Sequence, residues 1–133
     1  MNQQPKVLIL EDEIMVAWSL REVLILTGYE VVGIAARVSD ALCLAENTRP
    51  DVAIIDVRLA GDRDGIEAAQ LLQQQFGIRA VFLTATGDKE TKQRASFLDP
   101  AGFLVKPVHS WQLIQAIRTA AGEARSTANA ALG

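Results

Sequence analysis

Six polar residues of this sequence stand directly behind short apolar runs. Glu11, Asp12 and Glu13 follow Val7-Leu8-Ile9-Leu10, Asp56 follows Val52-Ala53-Ile54-Ile55, Thr84 follows Ala80-Val81-Phe82-Leu83, and Lys106 follows Phe103-Leu104-Val105. Carboxylates brought within about 4 Å of one another repel by a few kcal/mol even at an effective dielectric of ~20, so gathering these acids in one place requires a cation. Lys106 can offset one charge, and a hard divalent ion with oxygen ligands suits the rest. One histidine, His109, and one cysteine, Cys43, cannot make a zinc set, and Ca²⁺ asks for more protein oxygens than are on offer. Mg²⁺ is typically held by one or two carboxylates with waters and a substrate phosphate, which points to phosphoryl chemistry. An aspartate with an unperturbed pKa of about 3.9 is ionised at neutral pH and needs no general base to attack phosphorus. Its weakness as a nucleophile is met by neutralising charge on the phosphoryl oxygens, a task for Mg²⁺, Lys106 and the Thr84 hydroxyl.

The elements that must position these residues alternate strand and helix five times. Strands are expected over residues 7–10, 31–35, 52–55, 80–83 and 103–105; the first is a continuous apolar run, as in a strand buried on both faces of a parallel sheet. Helices are expected over about 14–26, ended by Gly28; from Ser39 or Asp40 as N-cap to before Arg49-Pro50; over 65–77; over 89–98; and from His109 or Ser110 to about 121. This order is that of a doubly wound α/β domain, a five-stranded parallel flavodoxin-like sheet in the order 2-1-3-4-5. Parallel strands finish on one edge, so the six polar residues meet in the crevice that such folds use for ligands.

Length and composition fit one domain. The chain has 133 residues, half of them hydrophobic, enough to bury a core without a metal or disulfide scaffold. A lone cysteine and the lack of an apolar run near the ~18 residues of a membrane span suggest a cytoplasmic protein that does not engage a membrane. A formal charge of -3 without a basic stripe disfavours direct nucleic-acid binding. Residues 1–121 are expected to form the domain and 122–133 a frayed, flexible tail with no output domain, leaving protein contacts as the way out for a signal.

The chain resembles the receiver domain of two-component response regulators. The likeness rests on Glu11-Asp12, Asp56, Thr84-Ala85 and Lys106-Pro107, in order and each at its strand end. It implies that Asp56 takes a phosphoryl group from a sensor histidine kinase or histidine phosphotransfer protein. It also implies that Asp12, Asp56 and the Arg58 carbonyl hold Mg²⁺, with Glu11 acting mainly through water. Phe103, three positions before Lys106, matches the aromatic that moves with the Thr84 hydroxyl, and a cis Lys106-Pro107 bond is expected. The usual Met-Pro after the acceptor is here Leu59-Ala60, with a loop through Gly61-Asp62-Arg63-Asp64-Gly65 that is one residue longer. Together with Val31-Val32-Gly33 this variant resembles stand-alone receivers served by HWE-type histidine kinases. Arg58 and Thr86 fill the two variable positions that flank the phosphoryl group.

Plainer readings stand beside these. The charge cluster could be structural, as in a degenerate receiver that serves as an unphosphorylated interaction module. Phe103 is equally a core aromatic, Cys43 a buried or half-buried small residue, and His109 a cap or surface residue. An aspartyl-phosphate phosphatase would need a second acid two positions after its nucleophile, where this chain has Arg58, and no glycine-rich phosphate loop follows the first strand as a flavodoxin-type binder requires. In the first helix Leu20 and Leu24 serve the core, whereas Ile14, Trp18 and Ile25, with Met15 beside them, form a second apolar stripe. Either this stripe packs under a loop or it docks a partner, the donor's helical bundle by family resemblance. Self-association through it, or through the last two helices, and a downstream protein target complete the expected contacts.

Overall fold

A computed structural model describes residues 4–59, 64–85 and 89–132, with side chains described as far as Gly122. Five strands, β1 (Lys6–Leu10), β2 (Glu30–Ala35), β3 (Val52–Asp56), β4 (Arg79–Thr84) and β5 (Gly102–Val105), form one parallel sheet in the order β2-β1-β3-β4-β5. The helices between and after them are α1 (Ile14–Thr27), α2 (Val38–Thr48), α3 (Gly65–Phe76), α4 (Lys89–Ser96) and α5 (Ser110–Leu132). The doubly wound fold expected from the sequence is the one observed.

Strand alternation sorts the core into two layers. Leu8, Leu10, Ala53, Ile55, Ala80 and Phe82 face α2 and α3, while Val7, Ile9, Val52, Ile54, Val81 and Leu83 face α1 and α5. Because both faces of β1, β3 and β4 are covered, their side chains are buried almost throughout, which is why these strands read as unbroken apolar runs. The strand register also fixes which side chains share a face. Phe82 pairs with Phe103 and Thr84 with Val105, so Thr84 and the aromatic pair lie on one side of neighbouring strands.

Gly28 and Gly77 adopt left-handed φ values of 101° and 67° and close α1 and α3, each donating its N–H back into the last turn. Two helix ends depart from expectation. α2 begins one residue before Ser39, with Arg37 as an N-cap that makes no side-chain bond. Val38 is buried in the core and sets the start of the helix there, leaving Ser39 and Asp40 in its first turn. α5 continues helically to Leu132, through the stretch 122–133 expected as a frayed tail; its alanine-rich end carries high intrinsic helix propensity. Cys43 is exposed, not buried, because the core stripe of α2 runs through Ala41 and Ala45. Leu20 and Leu24 are buried as expected, and the second stripe of α1 is uncovered: Ile14, Met15, Trp18, Ile25 and Leu26 are all exposed. No helix among the described residues is long and apolar enough to cross a membrane.

Candidate functional site

The C-terminal edge of the sheet gathers the residues that the sequence singled out. β1 ends at Leu10 and delivers Glu11, whose N–H donates to the Ala35 carbonyl at 2.9 Å and whose side chain is almost completely buried. Asp56, the last residue of β3, is 6% exposed, and Thr84, the last of β4, is 5% exposed. After β5 the backbone N–H of Lys106 donates to the Thr84 carbonyl at 2.8 Å, and the Lys106-Pro107 bond is cis, as expected.

Lys106 reaches further than its expected role of offsetting one charge. Its Nζ donates to Asp56 Oδ2 at 2.6 Å and to Glu11 Oε1 at 3.0 Å, so a single ammonium bridges both buried carboxylates. The remaining oxygens are also engaged: the Arg58 N–H donates to Asp56 Oδ1 at 2.9 Å and the Glu13 N–H to Glu11 Oε2 at 3.2 Å. Glu13 is thus the N-cap of α1, with its backbone serving Glu11. Burial raises the Glu11 pKa to about 7 despite the lowering effect of the Lys106 bond. Burial works against the charge on Lys106 as well, but its bonds to Asp56 and Glu11 outweigh that and hold its pKa above the ordinary value.

Asp12 lies beside this pair and faces solvent. Ligand oxygens of Glu11, Asp12 and Asp56 all fall within 4.8 Å of one another. Three hard oxygen donors with one open to water suit an ion such as Mg²⁺, which keeps several of its waters.

The resemblance seen in the sequence is matched at family level. A family model described as the response regulator receiver domain matches residues 7–118. The chain belongs to this family. Among curated relatives, the transcriptional regulatory protein PdtaR of Mycobacterium tuberculosis is 38% identical over 120 residues, covering 90% of this chain and 58% of that protein. The response regulator GacA of Pseudomonas aeruginosa is 33% identical over 115 residues, covering 85% of this chain and 53% of that protein. The chain therefore spans little more than half the length of these relatives. Among solved structures, the signal receiver domain of a modulated diguanylate cyclase from Desulfovibrio desulfuricans G20 superposes with a TM-score of 0.87 at 36% identity, covering 94% of this chain and 99% of that one.

Within the receiver, the remaining expected residues fall as follows. Arg58 is exposed and touches Asp56 through its backbone. Phe103 is half-buried against the core, its ring 6.2 Å from that of Phe82 and 5.9 Å from the Lys92 ammonium. His109 precedes α5; its carbonyl accepts from the N–H groups of Gln112 and Leu113, which is the capping role expected of it. Thr86 and the stretch from Ala60 to Arg63 lie outside the described residues, so the longer loop is not described.

Two contributors were not singled out from sequence. Gly65, expected as the end of the longer loop and a helix start, lies against the end of β3: its N–H donates to the Val57 carbonyl at 2.7 Å, and a Cβ there would stand 2.0 Å from the Asp56 carbonyl oxygen. Asp64 caps α3 by accepting from the Glu67 N–H at 2.9 Å and also binds Arg94 of α4. An Asp-Gly pair just before a helical pattern is the one sequence signal that pointed there.

Proposed function

We propose that Asp56 is the phosphoryl acceptor of a two-component response regulator. The observation that carries this reading is a nearly buried aspartate that shares one lysine with a buried glutamate, beside a solvent-facing third acid, at the strand edge of a receiver. In the reaction, the P–N bond of a phosphohistidine on a sensor kinase or phosphotransfer protein breaks as an Asp56 carboxylate oxygen bonds to phosphorus. Lys106 neutralises charge on the group in flight, and the Thr84 hydroxyl donates to it. Glu11, Asp12 and Asp56, with the Arg58 carbonyl, would hold Mg²⁺, which would supply positive charge to offset that of the phosphoryl group. Turnover is confined to the protein's own phosphorylation and dephosphorylation, a regulatory chemistry.

The placement of Thr84 and Phe103 on one face of adjacent strands supports their moving together when the acceptor is modified. That change would reach α4, β5 and the start of α5, where Val105 and Trp111 are exposed to a downstream protein. The uncovered stripe of Ile14, Met15 and Trp18 begins two residues after Asp12 and supports docking of the phosphodonor on α1.

Incubation with acetyl phosphate and Mg²⁺ should add the mass of one phosphoryl group to the protein and none to Asp56→Asn. Absence of modification in the natural sequence, together with no binding of beryllofluoride, would overturn the reading in favour of a degenerate receiver.

The acid cluster makes a second prediction. Without divalent metal, Asp12→Asn removes one of three neighbouring acids at a solvent-screened site and should raise the Tm slightly. With Mg²⁺ in excess the natural protein gains stability by mass action and the variant does not, so the order of the two Tm values should reverse. An order that does not depend on Mg²⁺ would remove Asp12 from the ligand set.

A further inference from the structure

α4 is the least anchored helix of the domain. Its sequence, Lys89-Glu90-Thr91-Lys92-Gln93-Arg94-Ala95-Ser96, is polar on nearly every side, and Ala95 is its one buried side chain. Apolar burial seats this helix at Ala95 alone, so polar contacts must carry much of its positioning. Between α3 and α4 lies a groove of about 570 Å³ with Ile66, Gln70, Phe97 and Leu98 on its walls, and Phe97 is 86% exposed. Side chains therefore do not interdigitate along the length of the two helices. At one end the groove is spanned by an ion pair, Arg94 Nη2 to Asp64 Oδ2 at 2.8 Å. Gln73 Nε2 reaches the Leu98 carbonyl at 3.5 Å, and the Lys92 ammonium stands over the Phe103 ring.

Asp64 is placed to transmit as well as to hold. One of its oxygens caps α3 through the Glu67 N–H while the other takes Arg94. The next residue, Gly65, is hydrogen-bonded to the Val57 carbonyl and pressed against the Asp56 backbone. Covalent and hydrogen-bonded links thus run from the acceptor strand through Gly65 and Asp64 to α4 without passing through Thr84 or Phe103. The pair reinforces itself electrostatically. Burial raises the Asp64 pKa, but the Glu67 N–H and the Arg94 guanidinium outweigh it and hold that pKa below its ordinary value.

We infer that Asp64 and Arg94 form an ionic latch that restrains α4 in the unmodified protein and couples its seating, through Gly65, to the end of β3 at Asp56 and Val57, which makes Arg94 a positioning residue. The latch itself is independent of what reacts at Asp56; its effect on phosphorylation rests on the function proposed above.

Hydrogen exchange of the intact chain, without phosphodonor, separates these statements. Arg94→Gln removes the cation, and Asp64→Asn removes the charge while keeping a side chain that caps α3 as well as aspartate does. Each should speed exchange of the α4 amides about two- to fivefold, the range set by a partly exposed ion pair, and leave those of α3 unchanged. The double variant should exceed neither single one. About 1 M salt should speed α4 exchange in the natural protein and have little further effect in the variants. Both single variants should also bind beryllofluoride with Mg²⁺ two- to fivefold more tightly, because the restraint on α4 has already been removed. Unchanged α4 exchange in either variant, or additive effects in the double, would overturn the latch, and equal beryllofluoride affinity would overturn its coupling to the acceptor. Faster α4 exchange in a protein that binds no beryllofluoride at all would support the latch and overturn the proposed function.

Discussion

Gly65→Ala is expected to destabilise the domain by about 3 kcal/mol or more, at the upper end of what overpacking does in a core. The added Cβ would lie 2.0 Å from the Asp56 carbonyl oxygen, and 2.8 Å from both the Asp56 carbonyl carbon and Ile55 Cγ2. Two of those atoms are backbone, so no side-chain rotation relieves the contact. Either β3 or the start of α3 must move, and the Gly65 bond to Val57 and the Asp64 cap move with it. Gly77→Ala provides the contrast: its Cβ would meet open space, and the cost there is the left-handed backbone at φ 67°, about 1 kcal/mol. Urea denaturation should show a far larger fall in midpoint for Gly65→Ala than for Gly77→Ala, with similar m-values. Equal midpoints would mean that the first turn of α3 yields freely and that its contact with β3 is not a constraint. On the proposed function, Gly65→Ala should also slow modification of Asp56 by acetyl phosphate, since the acceptor's own carbonyl is what the new methyl displaces.

Much of this site was legible because a parallel sheet translates sequence order into position. Each apolar run ends on the same edge, so Glu11, Asp56, Thr84 and Lys106 were placed together by counting alone, and the structure brings them together. Contacts between elements were less accessible. That Lys106 serves two carboxylates depends on Glu11 being turned inward and Asp12 outward, a choice that adjacent acids do not encode. Arg94 lies 30 residues from Asp64, and a charged residue on a polar helix carries no mark of its partner. Local signals also misled where burial overrode them. Ser39 and Asp40 have good capping side chains, yet the buried Val38 starts α2, and the N-cap falls on Arg37, two residues before Ser39. Cys43 has a composition that favours the interior, but the helical stripe through Ala41 and Ala45 leaves it outside.

Lys106→Met should impair both stability and chemistry. Methionine keeps the length and apolar stem of lysine but removes the ammonium that Asp56 and Glu11 share. Stripping the cation from carboxylates this buried costs about 3–5 kcal/mol when both charges must remain, and less here because Glu11 can escape by taking up a proton. Its pKa already stands near 7 against an unfolded value of 4.5, so the folded state binds the proton more tightly than the unfolded chain does. Stability from this source is complete below about pH 4.5 and is lost as pH rises through about 7. Removing Lys106 takes away the bond that lowers the Glu11 pKa, so in metal-free buffer the variant's loss should grow with pH and extend beyond neutrality. Denaturation midpoints of the two proteins should therefore lie closest near pH 4.5 and diverge towards pH 8. A constant gap across that range would show that the lysine's contribution is packing and not charge. At the proposed acceptor the same substitution removes a cation in contact with the attacking carboxylate, and the initial rate of modification by acetyl phosphate should fall about 10²- to 10³-fold. Because Asp12 and the Asp56 carboxylate survive the change, Mg²⁺ should still raise the Tm of Lys106→Met, so that metal binding is retained while transfer fails.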